Sequence, residues 1–165
     1  MISVTVRVPH YLDVVKTAIT AGKHVYCEWP LGNSLAEAQE LARLAKEKGV
    51  LGVVGTQARL SREILFMKQL IADGFVGEVL STTLIARGGG WGGVIPERKS
   101  QAYLLDNTNG ATMLTIPVGH ALAGLQAVLG DVEKASAMLA TRRNTALAVD
   151  SECRVAPRGQ HCRRL

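Results

Sequence analysis

The sequence lacks an apolar run of the roughly 18 residues that a membrane-crossing helix needs. Its first residues, Met1 to His10, carry neither the charged start nor the small-residue cleavage site of a secretory signal. These absences lead to the expectation of a soluble, cytoplasmic protein with no membrane partner. Cysteine is scarce: Cys27, Cys153 and Cys162 stand at spacings that make neither a disulfide framework nor a paired zinc site, so all three are read as free thiols and no metal is expected. A charge bias is also missing from most of the chain. The formal charge is +5, yet residues 151–165 hold four Arg and one Glu, which leaves 15 Lys and Arg against 13 Asp and Glu in residues 1–150. A nearly balanced body is not the footprint of a nucleic-acid binder, and nucleic acid is not the expected partner. The tail itself shows no helical or strand period and breaks from the composition before it. It is read as a frayed terminus or out-of-frame sequence, with a basic arm that touches phosphate as the alternative. There is no internal repeat. With 165 residues, 47% hydrophobic and 20% charged, the chain has enough apolar material for one globular domain or two small ones, and is neither a disordered tail nor a low-complexity array.

The stretch Ile2 to Val8 is rich in β-branched residues and stops at Pro9, which reads as a strand entering a turn. A helix is predicted over residues 11–21, where Leu12, Val15, Ala18 and Ile19 share a face and Gly22 is placed to close it. A second strand follows from His24 to Glu28. Ser34 and Glu37 then stand in the S-x-x-E spacing that lets each satisfy a free backbone N–H at the other's end. They open a helix with Leu35, Ala38, Leu41, Ala42 and Ala45 as its expected buried stripe. Lys46 and Lys48 complement the dipole at its end, and Gly49 stops it. Residues 51–56 form a third short apolar strand. Short apolar strands separated by helices pair in parallel through crossovers. The expected fold class is therefore α/β: the second half of a Rossmann-like doubly wound parallel sheet, followed by the start of an α+β C-terminal domain. Residues 1–58 are assigned to the first unit, 59–150 to an incomplete second unit, and 151–165 to the basic tail. In the second unit, a helix is predicted over 61–73, a long strand over 78–87, a helix region over 110–129 and a further strand over 132–142.

Two sets of residues carry a resemblance. Ala21-Gly22-Lys23-His24-Val25, then Glu28-Trp29-Pro30, follow a strand, a Pro-His turn and a helix. In that order they resemble the Gfo/Idh/MocA oxidoreductases. The string Glu28-Trp29, Gly89-Gly90-Trp91-Gly92, Pro96, Lys99-Ser100, Tyr103-Leu104, Asn109-Gly110 and Gly119-His120 is most similar to the Gal80-like branch of that family. The resemblance covers about Ile2 to Arg142. It implies NAD or NADP as cofactor and a sugar or polyol as small-molecule substrate. It also implies a homo-oligomer in the full-length form. The chain is expected to be a fragment of such a protein, lacking its phosphate-binding front and the end of its second domain.

The departures from the family pattern bear on chemistry. Where most family enzymes have the lysine of Glu-Lys-Pro beside the substrate, this chain has Trp29, whose indole N–H donates a hydrogen bond but exchanges no proton near neutral pH. The family's second signature brackets a helical histidine with acidic residues. Here those positions hold Ile116 and Ala123, leaving His120. An imidazole titrates near neutrality and one proton acceptor suffices for hydride transfer from an alcohol, so His120 is the candidate catalytic residue. A histidine that orients a hydroxyl or simply packs is the plainer alternative.

Pro9 and His10 lie at the carboxyl end of the first strand, where open α/β sheets bind ligands. With Glu28 and Trp29 they are the candidate cofactor contacts, against the reading of a structural turn and a surface carboxylate. Trp91, Lys99 and Tyr103 are the candidate substrate contacts. Trp91 either stacks on a sugar or nicotinamide ring or anchors its loop to the core. The glycines around it lack the G-x-G-x-x-G spacing of a dinucleotide fingerprint, so tight dinucleotide binding is not expected from this polypeptide alone. The function expected is that of an NAD(P)-dependent sugar or polyol oxidoreductase, with a catalytically inactive Gal80-like regulator that binds dinucleotide and a protein partner as the alternative.

Overall fold

In the computed structural model, residues 1–88, 91, 93–95, 101–142 and 147–148 are described. Three strands, β1 (Ile2–Val4), β2 (Val25–Glu28) and β3 (Gly52–Gly55), form one parallel sheet in the order β1-β2-β3. Ile2 is in register with Val25, and Val25 in turn with Gly52. Helix α1 (Tyr11–Thr20) joins β1 to β2, and α2 (Leu35–Glu47) joins β2 to β3. A parallel arrangement sends the carboxyl ends of all three strands to one edge. The turn at Arg7 to His10 and the loop from Trp29 to Ser34 therefore emerge side by side.

The local signals in the sequence set these boundaries. α1 buries Tyr11, Val15, Ala18 and Ile19 on one face, and a chain reversal at Gly22 (φ 68°) follows it. His24, exposed at the entry to β2, accepts the Leu51 amide on Nδ1 at 2.9 Å. That bond ties the ends of β2 and β3 together. Ser34 caps α2 by accepting from the Glu37 amide at 3.3 Å. Glu37 reaches back to the Asn33 amide at 2.7 Å rather than to Ser34, so the reciprocal cap is displaced by one residue. The expected stripe of α2 is narrower than the sequence suggests: Leu35 and Ala42 are exposed, and Leu41 with half-buried Leu44 and Ala45 makes the seam. Full burial of Leu41 contributes about 1.5–3 kcal/mol. An exposed Lys16–Glu40 ion pair at 2.5 Å spans α1 and α2.

Helix α3 (Arg62–Ala72) is capped by Ser61, which accepts from the Ile64 amide. The chain then departs from expectation. Residues 78–87 and 132–142 carry no regular structure, although both read as strands. A strand exists through its ladder, and neither segment has a ladder partner among the described residues. Short strands β4 (Val94–Ile95) and β5 (Leu147–Ala148) pair in parallel instead. The predicted helix region over 110–129 resolves into two parts: a π-helical turn at Leu114–Val118 and helix α4 (Gly119–Leu129). Against the expectation that no run is long and apolar enough to cross a membrane, the stretch Asn107–Leu129 is so by length and composition. Here it is broken into 3₁₀, π and α segments, and α4 lies against α3, with Gly124 buried beside Ile64.

The core belongs to both parts of the chain. Val4, Val8, Tyr11, Val15, Ile19, Val25, Cys27 and Leu41 form one cluster with Ala111, and Tyr103, Leu104 and Ile116 pack against it. The segment following α3 thus returns to close the sheet.

Candidate functional site

At the carboxyl edge of β1 and β2, the structure gathers Arg7, Tyr11, Cys27, Glu28 and Tyr103. Pro9 and His10 occupy a 3₁₀ turn, exposed, immediately before α1. Glu28 ends β2 and is half-buried. Tyr11, the first residue of α1, is buried beneath it. Burial above all, and then the Glu28 carboxylate, pushes the Tyr11 phenol well above its ordinary range. The same two causes in the same order push the Cys27 thiol up to about 11. Cys27 is a buried free thiol, as its spacing suggested; Cys153 and Cys162 lie outside the described residues. Tyr103 comes from the later segment, half-buried, with the Arg7 guanidinium 5.1 Å from its ring centroid. Glu28 and Tyr103, one expected at the cofactor and one at the substrate, therefore meet at one edge.

Trp29 points away from that edge and into the later segment. Its indole N–H donates to the Thr115 carbonyl at 2.5 Å, and its ring lies so close to Gly119 that a Cβ there would come 2.5 Å from Nε1. Trp91 is likewise occupied: its indole N–H donates to the Ala111 carbonyl at 3.1 Å, and its ring lies against Gly88. Of the two readings of Trp91, this hydrogen bond supports the loop anchor. Lys99 lies outside the described residues.

His120 opens elsewhere. It lines a cleft of about 630 Å³ between α3, α4 and residues 76–84, with Ile64, Met67, Val79, Leu84 and Leu125 among the walls. Its Nδ1 is buried with no hydrogen-bond partner. An imidazole in that state has nothing to fix its tautomer. Pro9, His10, Glu28, Trp29, Trp91 and Tyr103 are not part of the cleft wall. Trp29 lies against Gly119, the residue before His120. Among the described residues, no group of three His, Cys, Asp or Glu side chains gathers to hold a metal ion.

Two residues to which the sequence assigned no role belong to this region. Tyr11 was legible as the aromatic that begins an otherwise aliphatic face. Asn109, the buried polar side chain among the described residues, donates through Nδ2 to the Tyr103 carbonyl and accepts the Ala111 amide on Oδ1 at 3.1 Å. It shapes the turn that delivers Ala111 to the core. Its adjacency to Gly110 was the available signal.

A model of the oxidoreductase family's NAD-binding Rossmann fold matches residues 1–56, and a model of the C-terminal domain of Gal80p matches residues 63–161. The chain belongs to the Gfo/Idh/MocA oxidoreductases, in their Gal80-like branch. Among its relatives in this family, a dehydrogenase of Aspergillus oryzae is 35% identical over 131 residues, covering 79% of this chain and 35% of that protein. The galactose/lactose metabolism regulatory protein GAL80 of Saccharomyces cerevisiae is 33% identical over 132 residues, 76% of this chain and 30% of that protein. The crystal structure of its super-repressor mutant superposes with a TM-score of 0.71 at 31% identity, covering 76% of this chain and 34% of that one. A D-xylose dehydrogenase of Paenarthrobacter nicotinovorans is 32% identical over 130 residues, 77% of this chain and 33% of that protein. The chain spans about a third of the length of these curated relatives. The relatives that this chain matches thus include both dehydrogenases and regulators, and its residues 1–56 match the NAD-binding Rossmann fold.

Proposed function

We propose that the protein is a cytoplasmic NAD(P)-dependent oxidoreductase acting on a sugar or polyol, and that this chain carries the nicotinamide-proximal half of its nucleotide site together with the start of its substrate domain. The observation that carries the reading is the join between the two: the sheet edge bearing Glu28 is tied by Trp29 to the helix that begins Gly119-His120. Relatives named as dehydrogenases, one of them for D-xylose, support the substrate class.

The residues of the sheet edge suit one end of a dinucleotide. Glu28 offers a half-buried carboxylate for a ribose or carboxamide, and the exposed turn of Pro9 and His10 stands beside it. None of the described strand-to-helix turns carries the glycine-rich amides that cradle a pyrophosphate, so this chain by itself is expected to bind dinucleotide weakly. A bound nicotinamide supplies or accepts the hydride. In this reading His120 takes up or returns the hydroxyl proton, and its cleft and the Glu28 edge, joined through Trp29 and Gly119, face one substrate in the whole protein. The whole protein is proposed to assemble as a homo-oligomer.

A second reading has an observation of its own. Trp29 replaces the family's usual lysine and spends its N–H on Thr115, while Ile116 and Ala123 leave His120 without a carboxylate partner. That arrangement suits a regulator that binds dinucleotide and a protein partner without turnover. The test is a full-length protein assayed for nicotinamide reduction against a panel of aldoses and polyols. Turnover that falls about 10²–10⁴-fold in His120→Ala supports the enzyme. Dinucleotide binding without turnover of any substrate supports the regulator, and no dinucleotide binding at all sinks both.

A further inference from the structure

The π-helical turn before α4 has a cause and a consequence, and Trp29 stands at its end. Pro117 sits inside the turn and has no N–H to give to the Met113 carbonyl. The Val118 amide takes that carbonyl instead, at 3.2 Å. The ladder is thereby shifted by one, and the Gly119 amide bonds Leu114 and Ile116. In an α-helical ladder Gly119 would have bonded the Thr115 carbonyl. That carbonyl accepts the Trp29 indole N–H instead, and the indole ring can lie this close only because residue 119 has no Cβ. His120 is the next residue.

We propose that Trp29 is a positioning residue: its indole clamps the carbonyl released by the π-turn and sets where α4 begins, and with it where the His120 imidazole stands relative to the Glu28 edge. Trp29 sits one residue beyond Glu28, so a shift in the β2 carboxyl end is passed to His120 through one hydrogen bond and one ring contact. The role of His120 as proton carrier rests on the reading above, but its placement by Trp29 does not.

The test uses the full-length protein with selectively labelled histidine and tryptophan, read by NMR. Trp29→Phe keeps a ring against Gly119 and removes the donor. Pro117→Ala restores an N–H in the turn, lets the α-helical ladder resume, and draws the Thr115 carbonyl back to Gly119. Both are expected to move the His120 imidazole resonances. Pro117→Ala is also expected to expose the Trp29 indole N–H to solvent exchange while the Trp91 indole stays protected. Gly49→Ala, at the far end of α2 with nothing within 4 Å of its new Cβ, loosens the fold generally and is expected to leave His120 unmoved. His120 signals that stay put in Trp29→Phe, or that move equally in Gly49→Ala, overturn the proposal. If Trp29→Phe does not fold, Pro117→Ala decides alone. Where turnover exists, a kcat fall of about 10- to 100-fold in Trp29→Phe is the kinetic counterpart. A wild-type protein without turnover removes the enzyme reading and leaves the NMR test standing.

Discussion

Gly110→Ala separates the packing between the two parts of the chain from ordinary backbone strain. Gly110 has φ 72°, and a Cβ there would meet Asn33 at 2.6 Å from Oδ1 and 3.0 Å from both its Cα and its carbonyl oxygen. The side-chain oxygen can swing aside, but the backbone of Asn33 is held by the Glu37 carboxylate. Two costs therefore add. The left-handed conformation costs an alanine roughly 1–2 kcal/mol. Forcing a methyl against backbone costs about 1–3 kcal/mol more. Gly49→Ala provides the comparison, because Gly49 has φ 61° and open space around it, so only the first cost applies. The expected loss is about 2–5 kcal/mol for Gly110→Ala against about 1–2 for Gly49→Ala. At roughly 2–4 °C per kcal/mol for a chain of this length, the two melting temperatures separate by several degrees. Circular-dichroism melts of the two variants and the parent measure this directly. If Gly110→Ala loses no more than Gly49→Ala, the loop from Trp29 to Ser34 does not seat on the turn at Gly110, and the argument that the later segment closes the sheet fails.

Two further outcomes are expected. Gly119→Ala pits helix propensity, which favours alanine by about 1 kcal/mol, against a methyl 2.5–3.1 Å from the Trp29 indole; the rigid ring makes overpacking win, and a variant as stable as the parent in urea titration would refute this. Cys27, with its thiol pushed up to about 11 from 9.0, favours the folded state most while the thiol is protonated. That stability is full below about pH 9 and is lost as pH rises through 11, with buried Tyr11 acting in the same direction. Melting temperatures from pH 8 to 11 should therefore fall less steeply in Cys27→Val than in the parent, and parallel curves would disprove it.

What could be read from the sequence divides by range. α1, α2 and α3 were legible because their signals are local: the apolar face of Val15, Ala18 and Ile19, the Ser34 cap, and the glycines that follow each helix. β1 to β3 were legible because helices between them leave parallel pairing as the natural solution. Residues 78–87 misled because their β-rich composition describes a strand only when a neighbour supplies the ladder. The site was partly legible. Glu28 and Tyr103 meet at one edge, but the bond from Trp29 to Thr115 crosses 86 positions, and no periodicity reports such a contact. The signal for it was present in Pro117, inside an otherwise helical run, where a disturbed ladder was to be expected.

Ala111 is completely enclosed in the cluster that also holds Val4 and Val15. Strands β1 to β3 can pair as soon as Gly55 has been made, but the cluster they cover stays open until the chain has been synthesised past Ala111. During translation, the nascent chain carries a half-finished interior for the time needed to add more than fifty residues, and it closes through contacts far apart in sequence, which are slow to form. The timing of synthesis across residues 56–116, rather than the strength of any single contact, then sets how long the apolar face of the sheet is open to chaperones and to other unfinished chains.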